Sequence, residues 1–216
     1  MTQTRTGSRT PTHHKPGWAA PLLAALGGLL LTGCIVTSVY PFYTDAEVEF
    51  EPALVGRWTN AAPAAGGESM TFAPAGAQAY RVTYASGDKT SVLEAHRFKL
   101  GGQVFLDLAG LESPDRDQIV PAIPAHCVVR LLATHPTLKM SVLDYDWLTN
   151  WLEEHPKALR HHLVTRANDS NGRLVLTADT RELQQFLLKH LPTAKAWEQA
   201  SEFRRDTAAT PTTTPK

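Results

Sequence analysis

Gln78-Ala79-Tyr80-Arg81-Val82-Thr83-Tyr84, the turn Ser86-Gly87-Asp88, the run Ser91–Leu100, and then Gly101-Gly102 leading into Gln103–Leu108 form the stretch that decides the fold. Tyr80, Val82 and Tyr84 fall on one face of an extended chain, and Arg81 and Thr83 on the other. This is the period of two expected of a half-buried strand. Glycines in the two breaks supply the positive φ angles of tight turns. Two hairpins in succession at this spacing predict an antiparallel meander.

The same pattern continues on both sides. Upstream, Leu54–Asn60 and Ser69–Phe72 read as strands, separated by the small-residue loop Ala61–Glu68 with Pro63, Gly66 and Gly67. Downstream, Leu111–Asp117 is a polar loop, and Pro121 and Pro124 restrict the next segment to an edge or a bend. Ala125–Ala133 and Leu138–Leu143 form a further pair across His135-Pro136-Thr137. Asp144 or Asp146 is placed to cap a helix in which Trp147, Leu148, Trp151 and Leu152 recur at one-turn spacing, and Pro156 opens a second short helix toward His161. Leu163–Arg166 and Arg173–Thr177 flank a hairpin turn at Asn171-Gly172. Asp179 and Glu182 make a capping box for a helix that places Leu183, Phe186, Leu187 and His190 on one face and stops at Pro192. Ser201–Arg205 is a last strand, and Thr207–Lys216 is too poor in apolar residues to pack. The expected fold is α+β: a curved antiparallel sheet or partly open barrel of about seven or eight strands, with two or three helices in the C-terminal half.

The N-terminal region follows another logic. Arg5, Arg9 and Lys15 precede the apolar run Trp18–Leu31 without an intervening acid, and the run ends at Leu31-Thr32-Gly33-Cys34. A membrane span needs roughly 20 apolar residues, whereas this run is shorter and contains Pro21, Gly27 and Gly28. The order of basic, apolar and small-residue parts is that of a secretory signal. Leu31-Thr32-Gly33-Cys34 resembles the lipobox of bacterial lipoproteins. That resemblance implies cleavage between Gly33 and Cys34 and acylation of the Cys34 thiol, with the membrane as partner through that lipid. Ile35, rather than Asp, follows the cysteine, which by the same resemblance favours the outer over the inner membrane, with the domain in the periplasm. The chain divides into a signal peptide (1–33), a lipidated tether and docking segment (34–50), one β-rich domain (51–206) and a tail (207–216). Within the docking segment Asp45, Glu47 and Glu49 alternate with Ala46, Val48 and Phe50, predicting an extended chain with one buried face.

Charge narrows the function. The 216 residues carry 21 basic and 21 acidic side chains, and loss of Arg5, Arg9 and Lys15 leaves the mature part slightly acidic. No basic concentration is available to attract a phosphate backbone, so nucleic acid is not an expected partner. With Cys34 acylated, Cys127 is the remaining thiol and lies in an apolar strand as a small hydrophobe. His161-His162, His155, His96 and His126 have no metal-ligand spacing, Asp115-Arg116-Asp117 lacks the rest of a calcium loop, and no Gly-x-Ser-x-Gly elbow occurs. Neither cofactor, metal nor catalytic residue is assigned, and the expectation leans away from an enzyme.

Gly56-Arg57-Trp58 on the first strand resembles the Gly-x-Trp signature of lipocalin-type barrels. The resemblance implies a tryptophan across the barrel floor with an arginine, Arg204 or Arg205, packed on it. The Tyr40–Trp58 entry and Asp146-Trp147-Leu148 resemble small bacterial lipoproteins that bring no known activity. Two mechanisms stay open. In the first, a non-enzymatic interaction or assembly module docks an envelope protein through Tyr40, Phe42, Tyr43, Trp147 and Trp151, since aromatics dominate interface hot spots. In the alternative, a lipocalin-like carrier holds a small apolar molecule against Trp58, Tyr80, Tyr84 and Phe105. A hydrolase of unknown type comes third.

Overall fold

The computed structural model describes residues 35–62, 67–112, 125–164 and 173–206. The Leu31–Cys34 lipobox, Pro63–Gly66, the Pro114, Pro121 and Pro124 region, the Asn171-Gly172 turn and the Thr207–Lys216 tail lie outside the described residues.

After a two-residue strand β1 (Thr37–Ser38), the chain enters β2 (Gly56–Asn60), β3 (Ser69–Ala75), β4 (Ala79–Ser86), β5 (Lys89–Leu100), β6 (Gln103–Glu112), β7 (His126–Ala133) and β8 (Thr137–Val142). Each of β2–β8 pairs antiparallel with the next, as alternating side chains and tight turns dictate. The Gly101-Gly102 turn has φ of 58° and 75° and passes beneath Leu188, where a Cβ on Gly101 would collide with that side chain. Two helices follow, α1 (Tyr145–Glu154) and α2 (Thr180–His190), with β9 (His161–Val164) and β10 (Arg173–Leu176) between them. The final strand β11 (Ser201–Arg205) then inserts between β8 and β2.

That insertion changes the architecture from the expected one. β2–β8 and β11 close into an eight-stranded antiparallel barrel, so the sheet is not partly open, and closure removes both edges of the meander. The pairings Phe203↔Leu138 and Phe203↔Asn60 show one inward side chain joining the two ends of the sheet. The molecule is mostly β, with its two helices outside the barrel. β1, β10 and β9 extend the sheet beyond the end of β8, Ser38 standing opposite His126 on β7.

Strand alternation sorts the apolar side chains into two cores. The barrel interior holds Leu54, Trp58, Met70, Phe72, Tyr80, Val82, Tyr84, Leu106, Val129, Leu138, Met140 and Phe203. The second core lies between the outer faces of β5, β6 and β7 and the helices, and contains Phe98, Phe105, Val128, Leu148, Leu152, Leu183, Phe186 and Leu187. Helix starts follow local chemistry: Asp144 accepts the Trp147 N–H at 2.7 Å and Asp179 the Glu182 N–H at 3.0 Å. Asp144, rather than Asp146, is therefore the cap.

Two local expectations fail. Pro156 opens no helix, because Leu159 is drawn into the outer core and the Arg160 carbonyl accepts the N–H groups of Thr177 and Ala178. Asp45–Glu47 is a single 3-10 turn rather than extended chain, held by the Thr44 N–H donating to Glu47 Oε2 at 2.8 Å. The docking segment as a whole packs on the domain: Val36 and Phe42 enter the outer core, and Val48 bridges to Phe98 on β5.

Candidate ligand-binding site

One end of the barrel is sealed. β2 begins here with Gly56, β11 ends here with Arg205, and the turn Pro52–Leu54 crosses below. The Arg205 guanidinium lies 4.4 Å from the Trp58 ring centroid and donates to the carbonyls of Ala53 and Val55. Trp58 Nε1–H donates to the Leu54 carbonyl at 2.8 Å, so the indole has a partner for its polar atom. Gly56, at φ 131°, brings the backbone so close that a Cβ would stand 2.7 Å from Arg205 Nη1. Of the two arginines anticipated, Arg205 thus makes the contact. Tyr80 seals the same end: its ring stacks on Phe50 at 4.7 Å and its hydroxyl donates to the Glu51 carbonyl and accepts the Glu51 N–H. Arg97 also points inward here, bound to Glu49 Oε2 at 3.0 Å. Lys99 and Arg97 together hold the Glu49 carboxyl below its ordinary range.

The other end is built differently. At the end of β2, Asn60 takes both halves of Glu68 in hand. Its N–H donates to the Glu68 carbonyl at 2.9 Å and its Nδ2 to Glu68 Oε2 at 2.8 Å. Glu68 is 5% exposed, and its second oxygen, Oε1, has no hydrogen-bond partner. Tyr84 is 3% exposed, and its hydroxyl stands beside the Glu68 carboxyl, without close hydrogen-bond geometry to it. Burial first and the Glu68 charge next push the Tyr84 phenol up to about 12. Buried polar atoms are almost always satisfied. Glu68 and Tyr84 are thus two polar side chains buried next to each other at this end, the phenol beside the carboxyl. Met70, opposite Tyr84 in register, is buried beside them, and the interior they share is otherwise apolar, with Leu108, Val142, Leu93 and Cys127 among its members. Cys127 is no nucleophile, since desolvation and then the Asp107 charge push its thiol up to about 12.

Of the four residues expected to line a carrier, Tyr84 stands at this second end, while Trp58 and Tyr80 form the sealed floor. Phe105 is a correction. It faces outward, stacked 5.3 Å from Phe98 beneath the helices, because its strand neighbours Val104 and Leu106 take the inward positions. Asn60 and Glu68 were missed, Glu68 having been assigned to a loop. The signal was present: position 68 continues the alternation of Met70 and Phe72 and so belongs to the inner face.

The aromatic residues expected to form a docking surface do not share one. Phe42 is fully buried, Tyr43 stacks on His96 at 4.7 Å, and only Tyr40, at 49%, is well exposed. Trp147 and Trp151 stack at 6.1 Å and close over Phe186 and His190 of α2. The docking segment meets α2 elsewhere, at Thr180 and Gln184. At 3.6 residues per turn, 180 and 184 stand on a different side of the helix from 186 and 190.

A polar group on the outer face of the barrel was also missed. Asp107 on β6 is buried; its Oδ2 accepts the Phe42 N–H at 2.8 Å and its Oδ1 contacts His126 Nδ1 at 2.7 Å. A carboxylate that orients an imidazole is half of a nucleophile-activating set. Ser38, opposite His126 in register, is buried and its hydroxyl accepts the Tyr40 N–H, so the pair holds the docking segment rather than a nucleophile. Among the described residues, no group of three or more His, Cys, Asp or Glu is placed to hold a metal ion.

One titratable group is poised by its surroundings. Burial, then the charges of Asp144 and Asp146, push Glu198 up to about 7 from an ordinary 4.5. A carboxyl raised on folding favours the native state below about 4.5, and that contribution is lost as pH rises toward about 7. Thermal melts are therefore expected to show stability falling across this window, and Glu198→Gln to reduce the fall. An unchanged pH slope in the variant would remove Glu198 as its source.

In comparisons with known proteins, no family model matches the chain, and no match is found among curated proteins or solved structures.

Proposed function

We propose that this protein is a lipid-anchored envelope protein whose barrel carries one small, largely apolar molecule, without catalysing a reaction. The observation that carries this reading is the asymmetry of the closed barrel. One end is sealed by Trp58, Arg205 and Tyr80, while at the other the Glu68 carboxyl is buried with one oxygen that lacks a close hydrogen bond. An eight-stranded barrel is just wide enough to be filled by side chains or to hold one small ligand. The under-bonded Glu68 oxygen favours the second use, because a ligand that donates to it removes a desolvation cost that the free protein bears. The helices cover the outer face of β5–β7, and the aromatic side chains of the rival docking reading are divided among separate places. Anchoring through Cys34 rests on the lipobox, and the packed docking segment would keep the barrel close to the membrane that holds the lipid.

The test is native mass spectrometry of the Cys34→Ser form, produced in and purified from its native host. A stoichiometric apolar adduct is expected. A bare mass, or one carrying another polypeptide, would overturn the carrier reading and direct attention to Tyr40 and the Trp147–Trp151 pair. The same variant is expected to lose lipid labelling and to move to soluble fractions. Continued membrane retention would overturn the anchor.

A further inference from the structure

We propose that the domain rests on the bilayer in one orientation, through the end of the molecule that carries Leu132, Leu163, Val164 and Leu188. The sealed floor of the barrel then faces the lipid, and the Glu68 end faces away from it. This rests on the Cys34 anchor proposed above and is independent of any cargo. Val36 is buried in the outer core and Thr37 pairs with Val175 on β10, so packing of the described chain starts two residues after Cys34. Two residues of extended chain reach about 7 Å at most. Acyl chains on Cys34 therefore leave the domain no room to swing, and they draw the surface around Ile35 against the headgroups.

Strand directions identify that surface. β1 is antiparallel to β7, with Ser38 opposite His126 at the start of that strand, so the chain leads back from β1 toward the Ala133 end of β7. The Gly101-Gly102 turn is at the same end, because Val104 on β6 stands opposite Leu131. So is the Trp58 floor with Arg205, because Arg204 on β11 stands opposite Thr137 at the start of β8. β10 runs parallel to β1, and the register Thr37↔Val175 carried two residues back sets Ile35 level with Arg173, which pairs with Val164.

Among the described residues, five large apolar side chains are well exposed, and four of them collect here. Leu132 is next to last in β7, Leu163 and Val164 end β9, and Leu188 lies over Gly101; they are between 41% and 51% exposed. Tyr40, the fifth, lies past the other end of β1. Single exposed apolar residues are ordinary, but four at the end that holds the anchor are matched to a lipid surface. Arg173 is exposed beside Val164, and its stem suits the same setting, apolar along its length with a guanidinium for phosphate. β9 is an edge strand, whose free backbone groups need headgroups or water, so the contact is with the interface and not the hydrocarbon core. The opposite end is polar: Asp88 and Lys89 are exposed in the β4–β5 turn, and Arg160 is paired with Asp179 and Glu182.

The test uses the acylated protein in vesicles of phosphatidylethanolamine and phosphatidylglycerol, with a fluorophore on Leu132→Cys, Val164→Cys or Asp88→Cys. The unsubstituted protein gives the labelling background, Cys34 being acylated and the Cys127 thiol pushed up to about 12. A nitroxide near the headgroup end of the lipid chains is expected to quench the labels at 132 and 164 and to leave the label at 88 bright. Glu at both 163 and 164 (Leu163→Glu with Val164→Glu) is expected to weaken the quenching at 132 while the acyl chains keep the protein on the vesicles. If the acylated protein floats with vesicles but 132 and 164 are quenched no more than 88, the orientation is overturned and the anchor stands. If the Cys34→Ser form dimerises and the two glutamates make it monomeric, the surface is a contact between copies and the bilayer is overturned as its partner. If the wild-type protein neither carries acyl chains nor floats, anchor and orientation both fall.

Discussion

Replacing Trp58 by alanine is expected to lower the unfolding free energy by about 3–5 kcal/mol, the range for removal of a fully buried tryptophan. The side chain sits on the barrel floor beneath Arg205, with its Nε1–H on the Leu54 carbonyl. Its loss leaves a cavity that the sheet cannot collapse into, because the closed barrel fixes the spacing of its strands. It also deprives Arg205 of the ring on which it lies. Urea denaturation followed by circular dichroism is the measurement, and a drop below about 1 kcal/mol would mean that the floor is not the stabilising element described here. Gly56→Ala acts on the same device from the other side, since the added Cβ meets Arg205 Nη1 and the backbone is left-handed there. The two substitutions share Arg205, so the double variant is expected to lose less than the sum of the singles.

Asp107→Ala is expected to cost about 2–5 kcal/mol, since it leaves two hydrogen-bonding groups unpaired at about 1–3 kcal/mol each. It would leave the Phe42 N–H and His126 Nδ1 without the oxygens they now contact, both in a water-poor setting. Because Phe42 anchors the docking segment in the outer core, the loss should be local before it is global. Limited proteolysis is expected to cut first within residues 39–50 in the variant and not in the wild type. Global unfolding with no early cut in this segment would show that Asp107 acts on the barrel as a whole instead.

The strands were legible because each is short, alternating and bounded by residues of strong turn chemistry. Tyr80, Val82 and Tyr84 lie on one face of β4 as their spacing requires, and Gly101-Gly102 makes the turn it predicts. The helix starts were legible for the same local reason, since a capping carboxylate acts within three residues of itself. The site was legible only in part. Trp58 announced a floor, and Arg205 was one of two candidates for its partner. Glu68 was hidden because its neighbours are small and loop-like, although its parity with Met70 and Phe72 pointed inward.

Local pattern determined the strands, the two helices, the capping residues and the inner or outer face of most side chains, because period and turn geometry act over a few residues. Tertiary structure alone decided that β11 closes the meander by pairing with both β8 and β2. It alone decided that the helices lie outside, carrying Phe105 with them, and that Glu68 meets Tyr84 at the end of the barrel away from Trp58. Those outcomes depend on contacts between residues far apart in the chain, and alternation can say which face a residue takes without saying what stands across from it.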